Sequence, residues 1–139
     1  MERKGLSITR RLRRLGVAIV YLYGSEALGR VTRFSDVDIG VVFRNPRILR
    51  HRDRRASLRA ALIRCLRPPG VSLAFRELDL VLLQTASPIL QFEAIRAGRP
   101  LFAADRVFQA DYEASVIRDF LDVRPLVEVH YQAALDRAA

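Results

Sequence analysis

The sequence predicts an α/β (α+β) domain: a small mixed β-sheet flanked by helices, with further helices at the C-terminal end. Three observations predict it. Apolar runs rich in β-branched residues recur at Val17–Tyr23, Asp36–Phe43 and Leu78–Leu83. Stretches whose apolar residues repeat at helical spacing lie between and after them. Turn-forming pairs punctuate the joints: Gly24-Ser25, Asn45-Pro46, Pro69-Gly70 and Ser87-Pro88. Strands alternating with helices, then helices alone, give a layered domain of both element types.

Each element has a local reason. Ser7 offers a capping hydroxyl for a short first helix with Ile8, Leu12 and Leu15 on one face, and Gly16 ends it. VAIVYLY, from Val17 to Tyr23, is apolar throughout and reads as a central strand covered on both sides. Gly24 breaks it, and Ser25 to Gly29 starts a short helix. Asp36 to Phe43 is the second strand, ended by Asn45-Pro46. Leu58, Leu62, Cys65 and Leu66 place a helix over Arg52–Leu66, terminated by Pro68, Pro69 and Gly70. The third strand is Leu78 to Leu83, with a start as early as Val71. Ser87-Pro88 opens a helix that ends near Gly98, and Leu101-Phe102 forms a short edge strand. Asp105 caps a long helix through Leu121; Pro125 is expected to kink or restart it, with a last helix running to Arg137.

The 139 residues fit one domain, organised as an N-terminal helix (1–16), a core (17–104) and a C-terminal helical tail (105–139). Half the residues are hydrophobic, so the chain can build a core. The single cysteine, Cys65, excludes an internal disulfide and a cysteine-based zinc site, and His51 and His130 read as unrelated surface residues. A reducing cytoplasm is the natural setting. Arg10-Arg11 ahead of an apolar run resembles a twin-arginine leader, but the run is short and a buried strand explains it better. No stretch is long enough for a membrane span. The net charge is +9, and Lys4 is the only lysine. Arginine clusters at Arg10–Arg14 and Arg47–Arg55 suit phosphate or an acidic partner, or simply solvated helix faces. No aromatic residues interleave them, so no direct contact with nucleic acid is expected.

The segment that carries chemistry is YGSEALGRVTRFSDVDIGVVF, Tyr23 to Phe43. Gly-Ser closes one strand, and Asp36-Val37-Asp38 opens the next. Alternate residues of a strand share a face about 6.6 Å apart, so Asp36 and Asp38 address one site. Asp79 reaches the same site if its strand neighbours that of Asp38, although Glu77 on the same face is an equal candidate for the third acid. Three carboxylates are hard oxygen ligands for Mg²⁺, and two such ions suit in-line displacement at phosphorus. Gly24, without a Cβ, allows close backbone approach to a triphosphate. Ser25 adds a hydroxyl at a helix N-terminus.

These residues resemble the minimal nucleotidyltransferase family of the DNA polymerase β-like superfamily, and look most like the antitoxins of HEPN–MNT toxin–antitoxin pairs. Gly24-Ser25 and Asp36-Val37-Asp38 fit the defining motif, and Asp79 in LDLVLL falls where the third acid is expected. SPILQFEAIRAGRPLF and FLDVRPLVEVHYQAAL are similar to the family's later helix and strand and its C-terminal tail. The resemblance implies a cytoplasmic enzyme of nucleotidyltransferase fold that moves AMP from ATP, with two Mg²⁺ ions, onto a tyrosine of a HEPN ribonuclease toxin. It implies a hetero-oligomer with that toxin. It makes Asp36, Asp38 and Asp79 the catalytic and metal-binding acids, and Gly24, Ser25 and Arg30 the nucleotide-binding residues. Many relatives carry arginines soon after Gly-Ser, where this chain has Glu26 and Leu28; Arg30 or Arg33 is the replacement. Two alternatives stand beside this reading: an antitoxin that acts by binding alone, and a transferase for a small molecule.

Overall fold

Strand β1 (Val17–Tyr23) is apolar and buried at every position, which requires neighbours on both edges and cover on both faces. It lies between β2 (Val37–Phe43) and β4 (Arg99–Ala103) and runs antiparallel to both. Strand β3 (Leu78–Leu82) pairs in parallel with the other edge of β2, so the order is β3-β2-β1-β4. The sheet is mixed, as the sequence predicts. The structure, a computed structural model, describes residues 2–24, 37–66 and 78–138. The short helix expected at Ser25–Gly29, the first residue expected for β2 (Asp36), the stop at Pro68–Gly70 and a start of β3 near Val71 lie outside the described residues.

Strand β3 ends at Leu82, one residue sooner than expected, because Leu83 opens a 3-10 turn over Leu83–Thr85. The side chain of Gln84 then replaces the missing strand residue. Its Nε2 donates to the Phe43 carbonyl at 2.9 Å, and its Oε1 accepts from the Phe43 amide at 2.8 Å. A buried backbone must satisfy both groups, and one primary amide can do so.

Two helices cover each face. On one side lie α1 (Glu2–Arg14) and α2 (Arg52–Leu66). Leu12, Leu62 and Cys65 there meet Val20, Leu22, Ile39, Val41 and Leu80 from the sheet. On the other side lie α3 (Pro88–Ala97) and α4 (Arg106–Ala138), where Ala94, Tyr112 and Val116 meet Ile19, Tyr21, Tyr23 and Val42. A bulge between Val17 and Ile19 shifts the register of β1 against β2. As a result Ala18 and Ile19, adjacent in sequence, both belong to the α3/α4 side.

The helix boundaries agree with the sequence where the signal is chemical. Ser87 Oγ accepts from the Leu90 amide at 3.2 Å with Pro88 in the first turn. Asp105 Oδ1 accepts from the Val107 amide at 2.8 Å and the Phe108 amide at 3.3 Å. Gly16, at φ +82°, closes α1 as expected. Two expectations are corrected. Helix α1 begins at Glu2, so Ser7 lies inside it and caps nothing; the preceding Glu2, Arg3, Lys4 and Leu6 favour a helix and let it extend upstream. Of the kink or restart expected at Pro125, the restart does not occur: helix α4 is continuous for 33 residues. Proline there removes one backbone bond, while Arg124–Glu128 and Gln132–Asp136 side-chain bonds bridge successive turns.

Candidate active site at one end of the sheet

The ends of three strands form a row. Tyr23, the last residue of β1, is the register partner of Asp38 in β2, and Asp38 is the register partner of Asp79 in β3. Alternation settles which way they face. Ile39 and Leu80, next in each strand, belong to the α1/α2 core, whereas Tyr23, Val42 and Leu83 belong to the α3/α4 core. Asp38 and Asp79 therefore share the α3/α4 face on adjacent strands, about 4.8 Å apart at the backbone. Asp38 is half-buried and Asp79 exposed, so the pair opens to solvent while its base is held by the sheet.

Gly24 fits against this pair for a steric reason the sequence does not display. It adopts φ +74°, and a Cβ built there would lie 2.2 Å from Asp38 Oδ2. The carboxylate of Asp38 occupies the volume any side chain at position 24 would need. Glycine is thus required by Asp38 before any nucleotide arrives.

Tyr23 is the residue that sequence reasoning missed. Its phenol is pushed up from 10 to about 12, first by burial and then by the negative charges of Asp38 and Asp79. It stays protonated at neutral pH and sits within electrostatic reach of both carboxylates. Its position directly before Gly24-Ser25 was visible, but only the register of β1 with β2 turns that into proximity to both acids. Elsewhere on the same face Tyr21 donates to Glu113 Oε1 at 2.7 Å, and Tyr112 donates to Gln91 Oε1 at 2.9 Å. Burial comes first in raising both phenols; the hydrogen bond to Glu113 and then its charge add to it at Tyr21, and the charge of Glu113 adds to it at Tyr112.

The structure thus brings Gly24, Asp38 and Asp79 together. Ser25, Asp36 and Arg30 lie outside the described residues, as do Arg33 and Glu77. Among the described residues no three His, Cys, Asp or Glu side chains form a metal-binding group. Two neighbouring carboxylates with hard oxygens, one of them seated in the space left by Gly24, suit Mg²⁺ as the first part of such a group. On the opposite, α1/α2 side, Arg59 of α2 donates to the Leu80 carbonyl of β3. The arginine clusters are otherwise turned outward. Arg10, Arg11, Arg13, Arg14, Arg52 and Arg54 are exposed, and Arg13 also stacks over Phe102 at 5.7 Å.

The family model for polymerase β nucleotidyltransferases matches residues 7–107, which span the second half of α1, the whole sheet, α2, α3 and the start of α4. The chain belongs to this family. The nucleotidyltransferase also resembles several solved structures at low identity. One is a chain of a toxin–antitoxin complex with AMP-PNP: TM-score 0.61, 23% identity, covering 99% of this chain and 97% of that one. Another comes from a tri-AMPylated Shewanella oneidensis HEPN toxin in complex with its MNT antitoxin, with TM-score 0.58, 20% identity and coverage of 99% and 97%. A MntA–HepT toxin–antitoxin structure gives TM-score 0.57, 21% identity and coverage of 99% and 98%. No curated protein sequence matches. At such identities these likenesses establish that the nucleotidyltransferase shares the fold of those chains, from α1 to the tail of α4.

Proposed function

We propose that this nucleotidyltransferase is an antitoxin that transfers AMP from ATP to a tyrosine hydroxyl of a partner HEPN ribonuclease toxin and so neutralises it. One observation carries the reading: Asp38 and Asp79 stand in register on one face of the sheet, with Asp38 in the space left by the missing side chain of Gly24. Family membership supports nucleotidyl transfer. The fold shared with chains from toxin–antitoxin complexes, one with an ATP analogue and one with an AMPylated HEPN toxin, supports the donor, the acceptor and the partner.

In this reading the acceptor oxygen attacks the α-phosphorus of ATP. The new O–P bond forms in line with the bond to the bridging oxygen, which breaks, and pyrophosphate leaves. Asp36, Asp38 and Asp79 would hold two Mg²⁺ ions, whose chemistry is to neutralise phosphate charge and lower the pKa of a coordinated hydroxyl. Asp79, the exposed member, is the candidate to take the acceptor's proton. Gly24, Ser25 and Arg30 would receive the triphosphate. We take the chain as a single domain, with 17–104 the catalytic core and 105–139 a partner-facing tail. Cytoplasmic action agrees with Cys65, a buried free thiol, and with ATP as donor. Among the described residues no helix is long and apolar enough to cross a membrane.

The test is intact-protein mass spectrometry of a purified HEPN-domain toxin after incubation with this chain, ATP and Mg²⁺. The partner should gain mass in steps of AMP, and the Asp36→Ala/Asp38→Ala variant should abolish the gain while keeping the wild-type circular dichroism spectrum. Modification by that variant sinks the assignment of the acids. A wild-type chain that protects cells without modifying its partner supports the binding-only antitoxin, which the exposed apolar tail of α4 favours.

A further inference from the structure

The arginine clusters that nucleotidyl transfer leaves unused converge at one place. Helix α1 carries six basic residues against Glu2, and α2 carries five against Asp53, an excess equal to the chain's whole net charge of +9. Both helices lie across the sheet from Asp38 and Asp79. Between them is an open cavity of about 280 Å³, lined by Arg11, Arg14 and Leu15 from one side and by Ala61, Arg64 and Cys65 from the other. The three arginines are exposed, while Leu15 and Ala61 are half-buried and Cys65 is buried. The hollow therefore has a basic rim and an apolar floor. Among the described residues Arg44, Arg96 and Arg124 pair with carboxylates, and Arg11, Arg14 and Arg64 do not. Burial pushes the Cys65 thiol up and the charge of Arg11 pulls it back, so that charge reaches the floor. A helix C-terminus favours basic side chains of its own. It does not call for guanidiniums from two helices around one hollow, where their repulsion stands until an anion enters.

We infer that this hollow is a second anion site, separate from the nucleotide site, and that it takes a compact oligophosphate, free or as the tail of a nucleotide. The rim chooses the occupant. Guanidinium forks match phosphate oxygens in pairs. Three of them converging leave a single phosphate outnumbered, whereas linked phosphates answer the whole set. No aromatic side chain lines the hollow on which a base could stack, so the phosphates carry the recognition. The site stands independently of AMP transfer, and its failure would leave the function proposed above untouched.

The probe is inorganic tripolyphosphate, titrated by calorimetry into the full-length chain without Mg²⁺. Arg11→Gln/Arg64→Gln removes one guanidinium of the rim from each helix. Arg10→Gln/Arg52→Gln removes the same charge from the same helices at exposed positions outside the hollow. Thermal unfolding checks that each variant folds. The rim variant should bind roughly 100-fold more weakly than wild type, and the control within about threefold of it. If the rim variant does not fold, Arg14→Gln alone should cost roughly tenfold. Displacement of tripolyphosphate by AMP-PNP would support the site with a nucleotide tail as its source, and no displacement would support it with a free oligophosphate. A wild-type chain that binds no tripolyphosphate overturns the site. Equal weakening in the two double variants also overturns it, because the hollow is then one part of a diffuse basic surface. Tighter binding of a single-stranded RNA, lost equally in both variants, overturns it in favour of an RNA-binding face.

Discussion

The two faces of the sheet are built from different chemistry. Under α1 and α2 the buried residues are Leu, Val, Ile, Phe and one Cys, with no hydrogen-bonded side chain among the sheet residues. Under α3 and α4 three tyrosines enter the core, two donating to side chains and the third set beside Asp38 and Asp79. One face holds the strands in register, and the other uses that register to place polar groups. Stability and chemistry are therefore separable by substitution.

The largest effect should come from the chemical face. Asp38→Asn is expected to lower AMP transfer by roughly 1,000-fold or more, with an unfolding midpoint close to wild type. Gly24→Ala should come next. Its methyl collides with Asp38 Oδ2 at an unfavourable φ, so transfer should collapse while stability falls by about 1–3 kcal/mol. Leu62→Ala, fully buried under α2, should behave in the opposite way: about 2–5 kcal/mol lost in urea unfolding, and near-normal transfer wherever the variant remains folded. A Leu62→Ala protein that is folded but inactive would break the separation.

The smallest effect concerns pH. A phenol raised from 10 to about 12 in the folded chain keeps its proton where the unfolded chain has released it. Its contribution to stability is complete below pH 10 and is lost as pH rises from 10 to about 12. Tyr23→Phe should flatten the alkaline loss of stability in that window, read by urea unfolding at several pH values. It should also alter the Mg²⁺ dependence of transfer by less than about tenfold. Unchanged alkaline behaviour in Tyr23→Phe would show that Tyr23 does not sense the two acids.

What the sequence displayed follows the range of the forces involved. The bounds of β1 and α2 and the Ser87-Pro88 start of α3 were legible because each depends on residues within one turn or one strand. Asp36 and Asp38 were legible as a pair through period-two alternation and a short motif, and Asp79 only as a third acid conditional on its strand neighbouring that of Asp38. The register of Asp38 with Asp79, the parallel pairing of β2 with β3, and the place of Tyr23 were not, because each depends on which strands become neighbours. Ser7 as a cap and Pro125 as a restart misled for the reverse reason. Both carry strong local signals, and favourable residues on either side carried the helix past them.

The parallel alignment of β2 and β3 has a last consequence. Parallel neighbours cannot be joined by a tight hairpin; the chain must cross over, here by way of α2. During synthesis, Asp38 emerges long before Asp79, and the two meet only when the crossover has docked. A nascent or partly unfolded chain thus holds its acids apart, and competence to handle nucleotide arrives with completion of the core rather than ahead of it.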